Sequence, residues 1–112
     1  MVIGSGFIGM EVASVLASHG VRTTMIFPDD RVWQRLFTPP ISTFFERQFA
    51  DRGITFMKSE KVVALTHKNQ ECHAVLASGN QAPADFVVAG IGVIPSMELF
   101  HRTPLDLSLI HI

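Results

Sequence analysis

The sequence predicts an α/β fold: a parallel sheet whose last crossover is a β-meander instead of a helix. Three observations predict it. A short apolar run, Met1-Val2-Ile3, leads straight into Gly4-Ser5-Gly6-Phe7-Ile8-Gly9, and a helical pattern follows. A second apolar run, Val21 to Phe27, ends at the turn cluster Pro28-Asp29-Asp30-Arg31. From Ile54 to Ala89, short apolar runs alternate with polar turns, as in strands joined by tight connections.

The Gly-x-Gly-x-x-Gly run has a physical reason at each glycine. Gly4 suits the tight strand-to-helix turn. Gly6 lets backbone approach a pyrophosphate, and Gly9 lets the helix sit close on the strand. The free N–H groups of the helix start, with the positive end of its dipole, favour phosphate. Taken alone, such a run also fits a glycine-rich turn in any globular protein. Its context is more restrictive, because strand, glycines, helix, strand and acid occur in that order. Asp29 falls about 20 residues beyond Gly9, where a carboxylate takes the hydroxyls of an adenosine ribose. The arrangement is Rossmann-like and the expected ligand is a dinucleotide. Ser5, Phe7 and Ile8 are expected to offer backbone N–H groups around the pyrophosphate. A carboxylate at Asp29 repels a 2′-phosphate, so NAD is expected over NADP. Arg31, two residues on, opposes that preference.

The elements follow in chain order. Met1 to Ile3 is short beside the about five or six residues of a typical strand, and an earlier natural start is expected. In the first helix, Ile8, Val12, Val15 and Leu16 recur at helical spacing, with Ala13 and Ala17 as small neighbours. Gly20 ends it, with His19 in the last turn. Arg22 to Phe27 is the second strand, stopped by Pro28. Trp33, Leu36 and Phe37 form an apolar patch in a loop. Two readings stand: packing on the next helix, or contact with adenine or a further domain. Thr38-Pro39-Pro40 opens the second helix with a cap residue and then proline, where no N–H is needed. Ile41, Phe44, Phe45, Gln48 and Phe49 give its face, and Arg47 and Asp51 are spaced for an ion pair. Gly53 ends that helix, and Ile54 to Met57 is a short buried strand. Val62 to His67 and Cys72 to Ala77 are strands joined by Lys68-Asn69-Gln70-Glu71, and Ser78-Gly79-Asn80 turns the chain again. Phe86 to Ala89 is apolar throughout and is expected as a central strand buried on both faces.

At 112 residues the chain is one domain at most. A hydrophobic content of 47% with 17% charged residues suits a globular unit, not a disordered one. The net charge is −1 and the basic residues are scattered, which speaks against a nucleic-acid partner. No apolar run reaches the roughly 20 residues of a membrane span, so no membrane partner is expected. No signal peptide is visible, and a cytoplasmic location is expected. Cys72 is the only cysteine, which excludes an internal disulfide. It reads as a small apolar strand residue. The five histidines lack metal-ligand spacing, and no metal site is expected.

Gly4-Ser5-Gly6-Phe7-Ile8-Gly9-Met10-Glu11 resembles the NAD-binding domain of the two-dinucleotide FAD/NAD(P)H flavoprotein reductases. Phe27-Pro28-Asp29, followed by Arg35-Leu36-Phe37-Thr38, is similar to one branch of them. That branch holds monodehydroascorbate reductases, ferredoxin and rubredoxin reductases and apoptosis-inducing-factor-like proteins. Ala84 to Pro95 resembles the domain's closing strand and Gly-x-Gly-x-x-Pro loop, and the likeness runs over about residues 2 to 103. It implies that the β-meander returns the chain to the parallel sheet. It also implies that Gly90, Ile91 and Gly92 run beside the cofactor, and that Glu11 lies by the nicotinamide carboxamide. A glutamate near a helix start is equally favoured by the dipole alone. The implied route is hydride from NADH to FAD and on to an acceptor, either a small molecule or a redox protein. FAD is expected to be bound mostly outside this chain, so the chain alone should bind a dinucleotide without turnover. No catalytic residue is assigned.

The end of the chain reads differently. Leu107-Ser108-Leu109-Ile110-His111-Ile112 matches the in-frame translation of a transposon mosaic end used in sequencing libraries, and a natural apolar tail is the alternative. Residues 1–106 are therefore expected to be an NAD(P)-binding domain fragment, and 107–112 a non-native tail. Two rival functions remain at this stage. A redox-sensing protein of the apoptosis-inducing-factor type would be favoured by a basic surface, which the sequence does not show. An S-adenosylmethionine-dependent methyltransferase also uses a glycine loop and an acid, but the β-meander counts against it.

Overall fold

Alternate residues of a strand face opposite sides of its sheet, so a strand with two apolar faces needs cover on both. Both covers are present in the computed structural model, which describes residues 1–68, 71–94 and 96. The elements are β1 (Val2–Ile3), α1 (Phe7–Ser18), β2 (Thr23–Ile26), α2 (Pro39–Ala50), β3 (Ile54–Met57), β4 (Val62–Lys68), β5 (Glu71–Leu76), β6 (Gln81–Ala84) and β7 (Val88–Ala89). Strands β3-β2-β1-β7 form a parallel sheet, and β4-β5-β6 form a separate antiparallel one. The expected α/β architecture with a meander as its last crossover is what the chain adopts.

The parallel sheet is the middle of three layers. Val2, Met25 and Phe27 pack with Met10 and Ala13 of α1 and Phe49 of α2. Ile26, one residue out of step, packs the other way with Ala74 and Leu76 of β5 and Ala82 of β6. Burial of each large side chain contributes about 1.5–3 kcal/mol, so the two small cores together hold the layers.

Both helices are turned relative to the sequence expectation. In α1, Ile8 and Val15 are 59% and 58% exposed, while Gly9, Met10 and Ala13 are buried. The cause is Gly9, whose ideal Cβ would strike the Gly4 carbonyl and come within 3.7 Å of Val2 Cγ1. With Gly9 against the strand, Ile8 and Val15 share the outward side. In α2 the inward residues are Ser42, Phe45 and Phe49, whereas Ile41, Phe44 and Gln48 face out. Ser42 sets this phase by donating its buried hydroxyl to the Val32 carbonyl at 2.7 Å. Thr38 occupies the N-cap without a side-chain cap bond, and Pro39 follows as expected. Arg47 and Asp51 make no ion pair among the described residues; the Asp51 N–H closes on the Arg47 carbonyl at 2.9 Å.

The closing strand also departs from expectation. Only Val88 and Ala89 pair, both with β1, and among the described residues β7 is the edge of the sheet. Phe86 is 46% exposed and precedes the pairing. Asn69, Gln70, Pro95, Phe100 and the expected tail at 107–112 lie outside the described residues. No helix among the described residues is long and apolar enough to cross a membrane.

Two stability outcomes follow from these contacts. Gly9→Ala ought to stabilise a helix by about 1 kcal/mol on propensity alone. Here the added methyl meets backbone that cannot give way, so the variant should be destabilised by about 1–3 kcal/mol in urea unfolding. Ser42→Ala leaves the buried Val32 carbonyl without its donor and should cost about 1–3 kcal/mol in the same measurement.

Candidate functional site

Parallel sheets bind ligands beyond the carboxyl ends of their strands, where neighbouring connections diverge. Strand β1 has β2 on one side and β7 on the other, and the chain leaves all three at the same end. A cavity of about 500 Å³ lies there. It is lined by Gly4, Ser5 and Gly6 after β1, by Asp29 after β2, and by Gly90, Ile91 and Gly92 after β7. A broader depression of about 610 Å³ lies along α2, lined by residues of that helix and its last turn only, and brings no glycine loop or strand end together.

The glycine loop is shaped by backbone contact. Gly4 has φ +102° and an ideal Cβ there would strike the Gly90 carbonyl. Gly90 in turn donates its N–H to the Ile3 carbonyl at 2.8 Å. Gly6 differs, because a Cβ there would meet nothing within 4 Å. It is the N-cap of α1, with φ −71° and ψ −179°, and no side chain caps the helix. The first intrahelical bond runs from the Met10 N–H to the Gly6 carbonyl at 3.0 Å. The N–H groups of Phe7, Ile8 and Gly9 therefore have no helix carbonyl to bond. No acidic side chain lies in the first turn. An uncapped helix start beside open space and backbone suits an anion.

The acidic loop is held from two sides. Asp29 is half-buried, and its carbonyl accepts the Ser59 N–H at 2.9 Å. Three residues on, the Val32 N–H donates to Glu46 Oε1 at 2.9 Å and the Val32 carbonyl accepts from Ser42. Trp33 then takes the left-handed backbone at φ 52°. Its ring meets Phe7, Phe37 and Phe45 with centroids 5.5, 5.5 and 5.0 Å away. Trp33 thus packs on the next helix through Phe45, Phe37 meets only the Trp33 ring among these contacts, and Leu36 is exposed.

The structure gathers seven of the expected site residues and leaves five off the wall. The Phe7 ring meets Trp33 and the Ile8 side chain is exposed, while the backbone N–H of each stays at the open helix start; Gly9 is packed beneath the loop. Glu11, the fifth residue of α1, is exposed away from the cavity. Arg31 is turned back into its own loop, with Nη1 3.1 Å from Asp30 Oδ1 and Nη2 donating to the Gln34 carbonyl at 3.3 Å. The nearby cations on the wall are Arg35 and Lys61, joined by Glu60. Sequence reasoning assigned none of these three to the site. Glu60 and Lys61 lie some thirty positions from Asp29 and reach the wall only because β3 pairs with β2 and hands the chain to β4. Among the described residues no group of three His, Cys, Asp or Glu side chains is placed to hold a metal.

Comparison with known proteins agrees with this geometry. Residues 1–109 match the family described as Pyridine nucleotide-disulphide oxidoreductase. Over 101 residues the chain is 41% identical to the peroxisomal monodehydroascorbate reductase 1 of Oryza sativa subsp. japonica, covering 89% of this chain and 21% of the relative. The chain therefore spans about a fifth of the length of that relative. Among solved structures, the covalent putidaredoxin reductase–putidaredoxin complex superposes with a TM-score of 0.86 at 32% identity, over 96% of this chain and 26% of that one. The water-forming NADH oxidase from Lactobacillus brevis, bound to NADH, gives 0.82 at 26% identity over 88% of this chain and 22% of its own. With a family match over nearly its whole length and the fold to go with it, the chain belongs to the pyridine nucleotide-disulphide oxidoreductase family.

Proposed function

We propose that this chain is the NAD-binding part of an FAD-dependent oxidoreductase, in which hydride passes from NADH to flavin and on to an acceptor. The observation that carries the reading is the single cavity that joins Gly4-Ser5-Gly6, Asp29 and Gly90-Ile91-Gly92 at the strand ends. Bound there, the dinucleotide supplies the hydride, and the chain's own residues bind and orient it. Gly6 gives the pyrophosphate room, and the free N–H groups at the start of α1 face its charge. Asp29 accepts from the ribose hydroxyls and disfavours a 2′-phosphate. Gly90 to Gly92 bound the side towards which the nicotinamide extends.

The charge of the wall bears on selectivity. Asp29 and Glu60 are balanced in number by Arg35 and Lys61, so preference for NADH rests on where the Asp29 carboxylate sits. The solved NADH complex of a family member supports a dinucleotide at this fold. One relative is named for monodehydroascorbate and another is solved with putidaredoxin, which supports a small molecule or a redox protein as the final acceptor. The methyltransferase reading has no such support, since the meander and the family match both oppose it.

Titration with NADH, NADPH and S-adenosylmethionine tests the reading, with NADH expected to bind most tightly. Asp29→Ala should narrow the gap between NADH and NADPH by about 1.5–3 kcal/mol, the range for a hydrogen bond to a charged group. Equal affinity for the two in the unaltered chain would show that Asp29 does not face the ribose. Gly6→Val should abolish dinucleotide binding while leaving the unfolding midpoint in place, because the space beside Gly6 is empty of protein. Undiminished NADH binding by that variant would place the pyrophosphate elsewhere.

A further inference from the structure

Glu46 lies outside the cavity wall, yet its carboxylate is tied to both segments that fix Asp29. Its side chain is 15% exposed, low for a carboxylate. Oε1 accepts the Val32 N–H, and Oε2 accepts the Lys58 ammonium, each at 2.9 Å. Val32 is three residues beyond Asp29, and Ser42 of the same helix takes its carbonyl, so α2 grips both peptide groups of Val32. Lys58 immediately precedes Ser59, whose N–H holds the Asp29 carbonyl. One carboxylate therefore braces the loop that carries Asp29 and also the turn that receives it. The brace extends further through Trp33, which follows Val32 and lays its ring on Phe7 at the start of α1.

We infer that Glu46 is a positioning residue for the dinucleotide, setting where the Asp29 carboxylate stands relative to the glycine loop. The inference rests on the reading of Asp29 as the ribose ligand. Glu46 touches no ligand itself and acts through Val32, Lys58 and Ser59. A side chain that merely stabilised the fold would weaken NADH binding by the same factor whether or not Asp29 were present. A positioning residue loses its effect once the group it positions is gone.

A double-mutant cycle on the 112-residue chain separates the two. NADH binding is followed by quenching of Trp33, the only tryptophan, with thermal unfolding recorded in parallel. Glu46→Ala is expected to weaken NADH by about ten-fold, and by less than about two-fold when Asp29→Ala is already present. Glu46→Gln keeps an oxygen for the Val32 N–H but loses the charge facing Lys58, and should fall between. Equal losses in both backgrounds, or unchanged affinity in Glu46→Ala, overturn the inference. Should Glu46→Ala fail to fold, Glu46→Gln and Lys58→Met complete the cycle, and the same non-additivity decides. Asp29→Ala with full NADH affinity would instead remove the ribose reading, and this inference with it, a result distinct from an additive cycle.

Discussion

Three backbone segments meet at Gly4, Gly9 and Gly90, and the rest of the structure is arranged by that meeting. An ideal Cβ on Gly4 would strike the Gly90 carbonyl, and one on Gly9 the Gly4 carbonyl. On Gly90 it would lie 3.0 Å from the Gly9 nitrogen. Strand β1, helix α1 and strand β7 are therefore in direct main-chain contact, with no side chains between them. This contact fixes α1 on the sheet and determines its rotation. It also sends the first turn of α1 towards the strand ends. Where Gly4 and Gly90 line the cavity it is accordingly bounded by main chain, whose peptide groups are planar and have no rotamers.

A different kind of interaction holds the opposite wall. The loop from Pro28 to Phe37 makes no strand pairing; besides the main-chain bond from Ser59 to Asp29, among the described residues it is held by side chains: Ser42 and Glu46 on Val32, Gln34 on Asp30, and the rings around Trp33. Exposed ion pairs contribute little, typically about 0–1 kcal/mol. Glu46 and Lys58 are unlike such pairs, because the carboxylate is largely buried and also accepts a backbone N–H. Charge-assisted bonds of that type are stronger and more directional. The loop can then hold a tryptophan in the left-handed region, a conformation that an unbraced chain would relax.

What was legible in the sequence divides along the same line. Constraints carried by one residue could be read directly: Gly4 and Gly9 from their spacing, Pro39 from its place after Thr38, and the place of Asp29 beside the glycine loop from its distance beyond the glycines. The meander was legible because its turns carry Ser78-Gly79-Asn80 and similar residues. Helix phase was not, since Ile8 and Val15 fit an apolar stripe as well as Met10 and Ala13 do. Only the close approach at Gly9 and the Ser42 bond choose between them. Nothing local marks Arg35, Glu60 and Lys61 as lining the cavity, and Arg31, near Asp29 in the chain, is turned into its own loop in space. The apolar run Phe86–Ala89 suggests a strand buried on both faces, whereas among the described residues β7 lies at an edge of the sheet and β1 and β2 are its inner strands.

The two walls differ in what they can control. The main-chain contact at Gly4, Gly9 and Gly90 offers no side chain to substitute. The facing wall depends on side chains, with Ser42 and Glu46 bonded to Val32 and Lys58 bonded to Glu46. Position is thereby fixed by main-chain contact on one side of the cavity and by side-chain bonds from α2 on the other. This division follows from the physics of the two contacts. Backbone collision rises steeply and fixes position, whereas hydrogen bonds to a loop set a position that depends on every partner remaining in place.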